Sequence, residues 1–107
     1  MKKSEIEQLY EAITLLKQAA DKAPAGLDIL KECLGIAEML IEKNAAYGNS
    51  ALAPVRIFSK ASNVEQILVR LDDKLSRLAR GSAAGEDVIL DLMGYLVLLR
   101  IAMKNEG

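Results

Sequence analysis

The stretch EDVILDLMGYLVLLRIAMK, from Glu86 to Lys104, decides the fold. Its run from Val88 to Leu99 is interrupted by a charge only at Asp91, and on a helical projection apolar residues fall on nearly every side. A helix apolar all round belongs inside a packed protein or a membrane, and this one falls short of a bilayer span. It is therefore predicted to be the central, most buried helix of a cytoplasmic all-α domain.

Two acids stand at the start of that helix. Asp87 and Asp91 are four residues apart, hence on one face, and Tyr95 continues that face. Stacked like charges destabilise a helix slightly in water and much more when desolvated. Three offsets are open. A divalent cation is one, since Mg²⁺ takes one or two carboxylates plus water and phosphate oxygens. An ion pair with basic residues of the preceding helix, Arg70 or Arg77, is another. Asp87 alone would also be favoured by the helix dipole of a first turn.

Working outward, the connector Gly81-Ser82-Ala83-Ala84-Gly85 leads back to a third helix. Ser62 and Glu65 form a capping box at its start. Val64, Ile67 or Leu68, Leu71, Leu75 and Leu78 face inward, and Gly81 stops it. Arg70, Asp73, Lys74 and Arg77 fall at i, i+3, i+4 and i+7, forming a stripe beside the apolar face. Such a stripe is either solvated surface charge or a set of fixed cations for phosphates, Arg by its planar fork and Lys as a point charge.

Further out, Ser4 and Glu7 cap a first helix with Ile6, Leu9, Ile13, Leu16 and Ala20 at helical spacing, ended by Pro24 and Gly26. The second helix runs from Leu27 to Ala45 with an inward stripe of Leu27, Leu30, Leu34, Ala37 and Ile41. Glu38 lies close to that stripe and Glu42 one turn on, at its flank. A core-facing acid is unfavourable unless it is paired or ligates a metal, although a Glu with a packed stem at the edge gives the same pattern. Lys43-Asn44-Ala45-Ala46-Tyr47-Gly48-Asn49-Ser50 closes the helix. It reads as a C-cap, or as a loop placing Lys43, Asn44, Tyr47 and Asn49 on a pocket rim, where Tyr47 stacks on a base and Asn reads its edge. A short helical turn is expected from Val55 to Ser59.

Composition narrows the functions. The 107 residues suit one domain, 1–107, and 51% hydrophobic content with 4% aromatic and no Trp implies an aliphatic helical core. A net charge of −1 from 14 basic and 15 acidic residues suggests neither a nucleic-acid partner nor an anionic membrane. With no His there is no imidazole base, no His-bound zinc and no Ser-His-Asp triad. Cys33, among Leu30, Leu34 and Ala37, reads as a buried inert thiol. The N-terminal MKKSEIEQ lacks the apolar region of a signal peptide. So small a domain buries its surface poorly alone, so a homodimer or higher homo-oligomer is expected.

Three ordered motifs, Lys43-Asn44-x-x-Tyr47-Gly48, Arg70-x-x-Asp73-Lys74-x-x-Arg77 and Asp87-x-x-x-Asp91-Leu92-x-Gly94-Tyr95, resemble a family of small phage and prophage proteins described as a nucleotide-modification-associated domain. The resemblance covers roughly Glu38 to Leu99. The last motif is also similar to the second acidic box of the MazG-like all-α nucleoside triphosphate pyrophosphohydrolases, which are helical oligomers. The first box departs from theirs, because Glu38 and Glu42 are four apart with no adjacent pair, and Ala83 stands where phage members often carry an acid. The resemblance implies a four-helix, bundle-like fold and Mg²⁺- or Mn²⁺-dependent cleavage of a (deoxy)nucleoside triphosphate to monophosphate and pyrophosphate. Glu38, Glu42, Asp87 and Asp91 would hold metal. Lys74, Arg70 and Arg77 would contact phosphates, and Lys43, Asn44, Tyr47, Asn49 and Tyr95 would approach sugar or base. The alternative is a non-catalytic nucleotide-binding or helical assembly module.

Overall fold

The computed structural model describes residues 2–106, which form four helices and no strand: α1 (Glu5–Lys22), α2 (Gly26–Tyr47), α3 (Asn63–Ala79) and α4 (Val88–Glu106). The all-α expectation holds. By contacts the chain divides into two compact units, Met1–Glu38 and Met39–Gly107, with the division inside α2.

In the first unit, Ser4 caps α1, its Oγ accepting the Glu7 N–H at 3.1 Å. Glu5 and Glu7 in the first turn complement the positive end of the helix. The turn into α2 is tight. A Cβ on Gly26 would sit 2.2 Å from the Ala20 carbonyl oxygen, a backbone atom that cannot step aside, so only glycine fits. Burial departs from the periodic reading. No residue of α1 is buried, and Ile6, Leu9, Ile13 and Leu16 are exposed. On α2, Leu27, Leu34 and Ala37 are exposed, and Gly26 and Ile36 are the buried residues. Cys33, expected inside, is exposed. Spacing identifies an apolar face; whether another element covers that face is a tertiary matter.

In the second unit α3 and α4 pack together. Ile67, Leu71 and Ala102 form the core, flanked by Leu52, Val64, Leu92, Tyr95, Leu98 and Leu99. Ile67 is 1% exposed while Leu68 is exposed, which settles the inward position. Leu75 and Leu78, expected to face in, are about half exposed, so the covered stripe runs Val64, Ile67, Leu71, Lys74. Ser62 caps α3 through its Oγ and the Glu65 N–H at 3.1 Å. The helix closes in a Schellman turn. Ser82 N–H donates to the Arg77 carbonyl at 3.0 Å and Gly81 N–H to the Leu78 carbonyl at 3.2 Å, with Gly81 at φ 68°.

α4 differs from its reading in two ways. It begins at Val88 rather than Glu86, because Asp87 serves as its cap: the Asp87 Oδ1 accepts the Leu90 N–H at 3.0 Å. It is also not buried all round. Val88, Gly94 and Ala102 are buried, whereas Ile89, Leu96 and Met103 are exposed. α3 packs along one side of it, and Met39 and Leu40 from the end of α2 meet it at Gly94. The segment between α2 and α3 holds no helical turn at Val55 to Ser59; Val55, Ile57 and Phe58 are exposed there, Phe58 by 96%. The Arg56 guanidinium ties that segment to the Ala61 carbonyl and the Asn63 side chain, and Asn63 Nδ2 donates to the Leu52 carbonyl at 2.6 Å. No helix of the described residues is long and apolar enough to cross a membrane.

Candidate functional site

Within the second unit, the end of α2, the loop after it, α3 and α4 enclose a cavity of about 390 Å³. Its apolar wall is Met39, Leu40, Gly94 and Leu98, and its polar wall is Lys43, Asn44, Tyr47, Ser50, Arg70, Lys74, Asp91 and Tyr95. Gly94 gives the wall its shape. A Cβ there would lie 3.0 Å from Met39 Cε and 3.1 Å from Leu40 Cδ2, so the missing side chain lets both reach across.

Charge is concentrated around Asp91. Lys74 Nζ lies 3.3 Å from Asp91 Oδ2, and Lys43 Nζ lies 3.8 Å from Asp91 Oδ1. The Lys74 side chain is 16% exposed and that of Asp91 22%, so this contact is largely sheltered from water. Lys74 also lies 3.6 Å from Glu86 Oε2. Behind it, Arg77 pairs closely with Glu86 and lies 3.7 Å from Asp73. Arg70 lines the cavity and makes no ion pair among the described residues. Three cations and one carboxylate therefore face the cavity.

Seven residues singled out in the sequence meet here: Lys43, Asn44, Tyr47, Arg70, Lys74, Asp91 and Tyr95. They come from three helices, and helical geometry explains the gathering. Lys43, Asn44 and Tyr47 occupy the last turn of α2 at i, i+1 and i+4. Arg70 and Lys74 are one turn apart on α3, as are Asp91 and Tyr95 on α4. Asn49 is outside the lining; held at φ 62°, its Oδ1 accepts from Asn44 Nδ2 at 2.9 Å and so orients a lining residue. Arg77 sits one turn beyond the cavity.

The acids do not gather as the resemblance implies. Asp87 is exposed rather than buried, its carboxylate caps α4, and it is outside the cavity lining to which Asp91 belongs. Glu42 is exposed and outside the cavity lining, and Glu38, also exposed, is the last residue of the first unit. Among the described residues no three Asp, Glu, Cys or His side chains cluster in a way that could hold a metal ion. The donor set fits at most one carboxylate, Asp91, working with a ligand's own oxygens. The ion-pair alternative is realised with different partners, since Asp91 meets Lys74 and Lys43 rather than Arg70 or Arg77. Lys74 belongs to the covered stripe of α3 instead of lying beside it.

Sequence reasoning passed over Met39, Leu40, Ser50, Ala51, Gly94 and Leu98 as lining residues. Gly94 did carry a signal, a glycine in the middle of an apolar helix, which marks a close approach as often as a weakness. Glu86 precedes α4, and its side chain reaches α3. The chain matches no family model, no curated protein and no solved structure.

Proposed function

We propose that this protein binds a nucleotide, its phosphates held by Lys43, Lys74 and Arg70 and its base or sugar against Tyr47, Asn44 and Tyr95. One observation carries the reading: cationic and aromatic side chains from separate helices converge on one cavity large enough for a small ligand. Arg offers a bidentate fork to phosphate and Lys a mobile point charge. An aromatic ring beside them supports stacking on a base. The motifs of the nucleotide-modification-associated proteins supply the biological setting, a phage- or prophage-type pathway of nucleotide metabolism in the cytoplasm.

The hydrolytic reading rests on Asp91 in the same cavity. Mg²⁺ or Mn²⁺ would be held by Asp91 together with phosphate oxygens, since Mg²⁺ is commonly bound by one or two protein carboxylates. Once bound, such an ion neutralises phosphate charge and acidifies a water. Glu42 and Asp87 do not join Asp91 at the cavity, which favours binding over turnover.

A panel of ribo- and deoxyribonucleoside mono-, di- and triphosphates, with and without Mg²⁺ or Mn²⁺, tests both readings. A ligand that binds the native state raises the melting temperature, and released pyrophosphate reports turnover. Thermal stabilisation without pyrophosphate identifies a binding module. No response to any nucleotide rejects the proposal.

A further inference from the structure

The cavity presents cations that are already engaged. Lys43 and Lys74 both face Asp91, and Lys74 and Arg77 both face Glu86. Counting Asp73, which meets Arg77, the six linked groups carry three positive and three negative charges. The chain Lys43–Asp91–Lys74–Glu86–Arg77–Asp73 is therefore neutral, and only Arg70 adds net attraction for an anion. A phosphate must displace one of the carboxylates to use these cations fully.

The three carboxylates differ in how easily they can leave. Asp73 is fixed on α3 and Asp91 on α4, each within continuous helix. Glu86 alone belongs to the connector, between Gly85 at φ 82° and the capping residue Asp87. Rotation at Gly85 meets no Cβ penalty, and no atom within 4 Å would oppose a side chain there. The connector is held to itself only by the Glu86 N–H to Ala83 carbonyl bond at 3.0 Å. Moving Glu86 therefore costs neither helix any of its hydrogen bonds.

We infer that Glu86 is an internal stand-in for phosphate: it holds Lys74 and Arg77 until an anion enters and then yields them, extending the phosphate site from the cavity to Arg77. Glu86 is thus a positioning residue that sets the affinity of the pocket. The inference rests on the reading of the cavity as a phosphate site. Affinity for an anion is lowered by the fraction of molecules in which the site is open, so removing the internal competitor raises it by the inverse of that fraction.

The experiment titrates inorganic pyrophosphate, without divalent cation, into the full chain by calorimetry. Wild type is compared with Glu86→Gln and Glu86→Ala. Binding about tenfold tighter or more is expected in both variants, with the gain lost when Lys74→Met is added. Unchanged or weaker binding in folded variants overturns the role of Glu86 and leaves the phosphate pocket standing. Absence of pyrophosphate and nucleotide binding in wild type and variants alike overturns both. Relief of charge repulsion alone would also tighten binding, so exchange of the Glu86 amide hydrogen, which is bonded to the Ala83 carbonyl, is measured in wild type. Faster exchange on saturation with pyrophosphate is expected as Glu86 is released. Unchanged or slower exchange overturns the displacement, and this measurement needs no variant to fold.

Discussion

At Asp91 two ammonium groups meet one carboxylate in a sheltered cavity, and substitutions there separate its possible roles. Asp91→Asn frees Lys43 and leaves Lys74 with Glu86 as its one acidic partner. Pyrophosphate affinity without metal should then rise, while any increase in melting temperature caused by Mg²⁺ or Mn²⁺ should vanish. A titration with each ligand alone checks both outcomes. Lys74→Met keeps the aliphatic stem that packs along the Val64–Ile67–Leu71 stripe but removes the charge. It should weaken nucleotide binding by about 10- to 100-fold, the loss of about 1.5–3 kcal/mol expected for a hydrogen bond to a charged group. Urea denaturation should show a stability loss of about 1–3 kcal/mol, because the contact is largely sheltered and Asp91 keeps only Lys43 once the Lys74 charge is gone. These residues were legible from spacing: basic and acidic positions one turn apart must share a helical face. The partner each would choose was not, because a long Lys side chain reaches whatever acid the next helix brings near.

Among the elements, helix ends agree best with the sequence and helix faces worst. Ser4, Ser62 and Gly81 each act within one turn of chain, so their hydrogen bonds follow from local spacing. Asp87 shows how close two local readings can lie, because the same side chain serves as a first-turn acid or, one residue earlier, as the cap itself. Asp87→Ala should cost about 1 kcal/mol of stability, the usual loss for an N-cap, with nucleotide affinity unchanged; thermal denaturation and titration together check this. A metal ligand would show the opposite pattern. Gly26→Ala should disrupt the α1–α2 turn, since its Cβ would collide with the Ala20 carbonyl. The expected loss of helicity in circular dichroism would be concentrated in residues 5–38, as amide exchange would show. The cavity itself should keep its affinity.

For the molecule as a whole, we propose self-association through exposed apolar side chains. Ile6, Leu9 and Leu16 on α1 and Ile89, Leu96 and Met103 on α4 are all exposed. Burying side chains of this size contributes about 1.5–3 kcal/mol each. Sedimentation at micromolar concentration should therefore give a dimer or larger species; a monomer at every concentration would reject this. The sequence by itself determined the helical class, the four elements and three of their caps, because hydrogen bonding and apolar periodicity within a helix depend on neighbours no more than a few residues away. It also identified seven lining residues, since each group lies on a single helical turn. Only the tertiary structure decided that Asp91 lines the cavity while Asp87 does not, that Lys74 is shared between Asp91 and Glu86, and that apolar stripes such as that of α1 are exposed. Burial and ion pairing depend on which element arrives at a face, and that information lies in contacts between residues far apart along the chain.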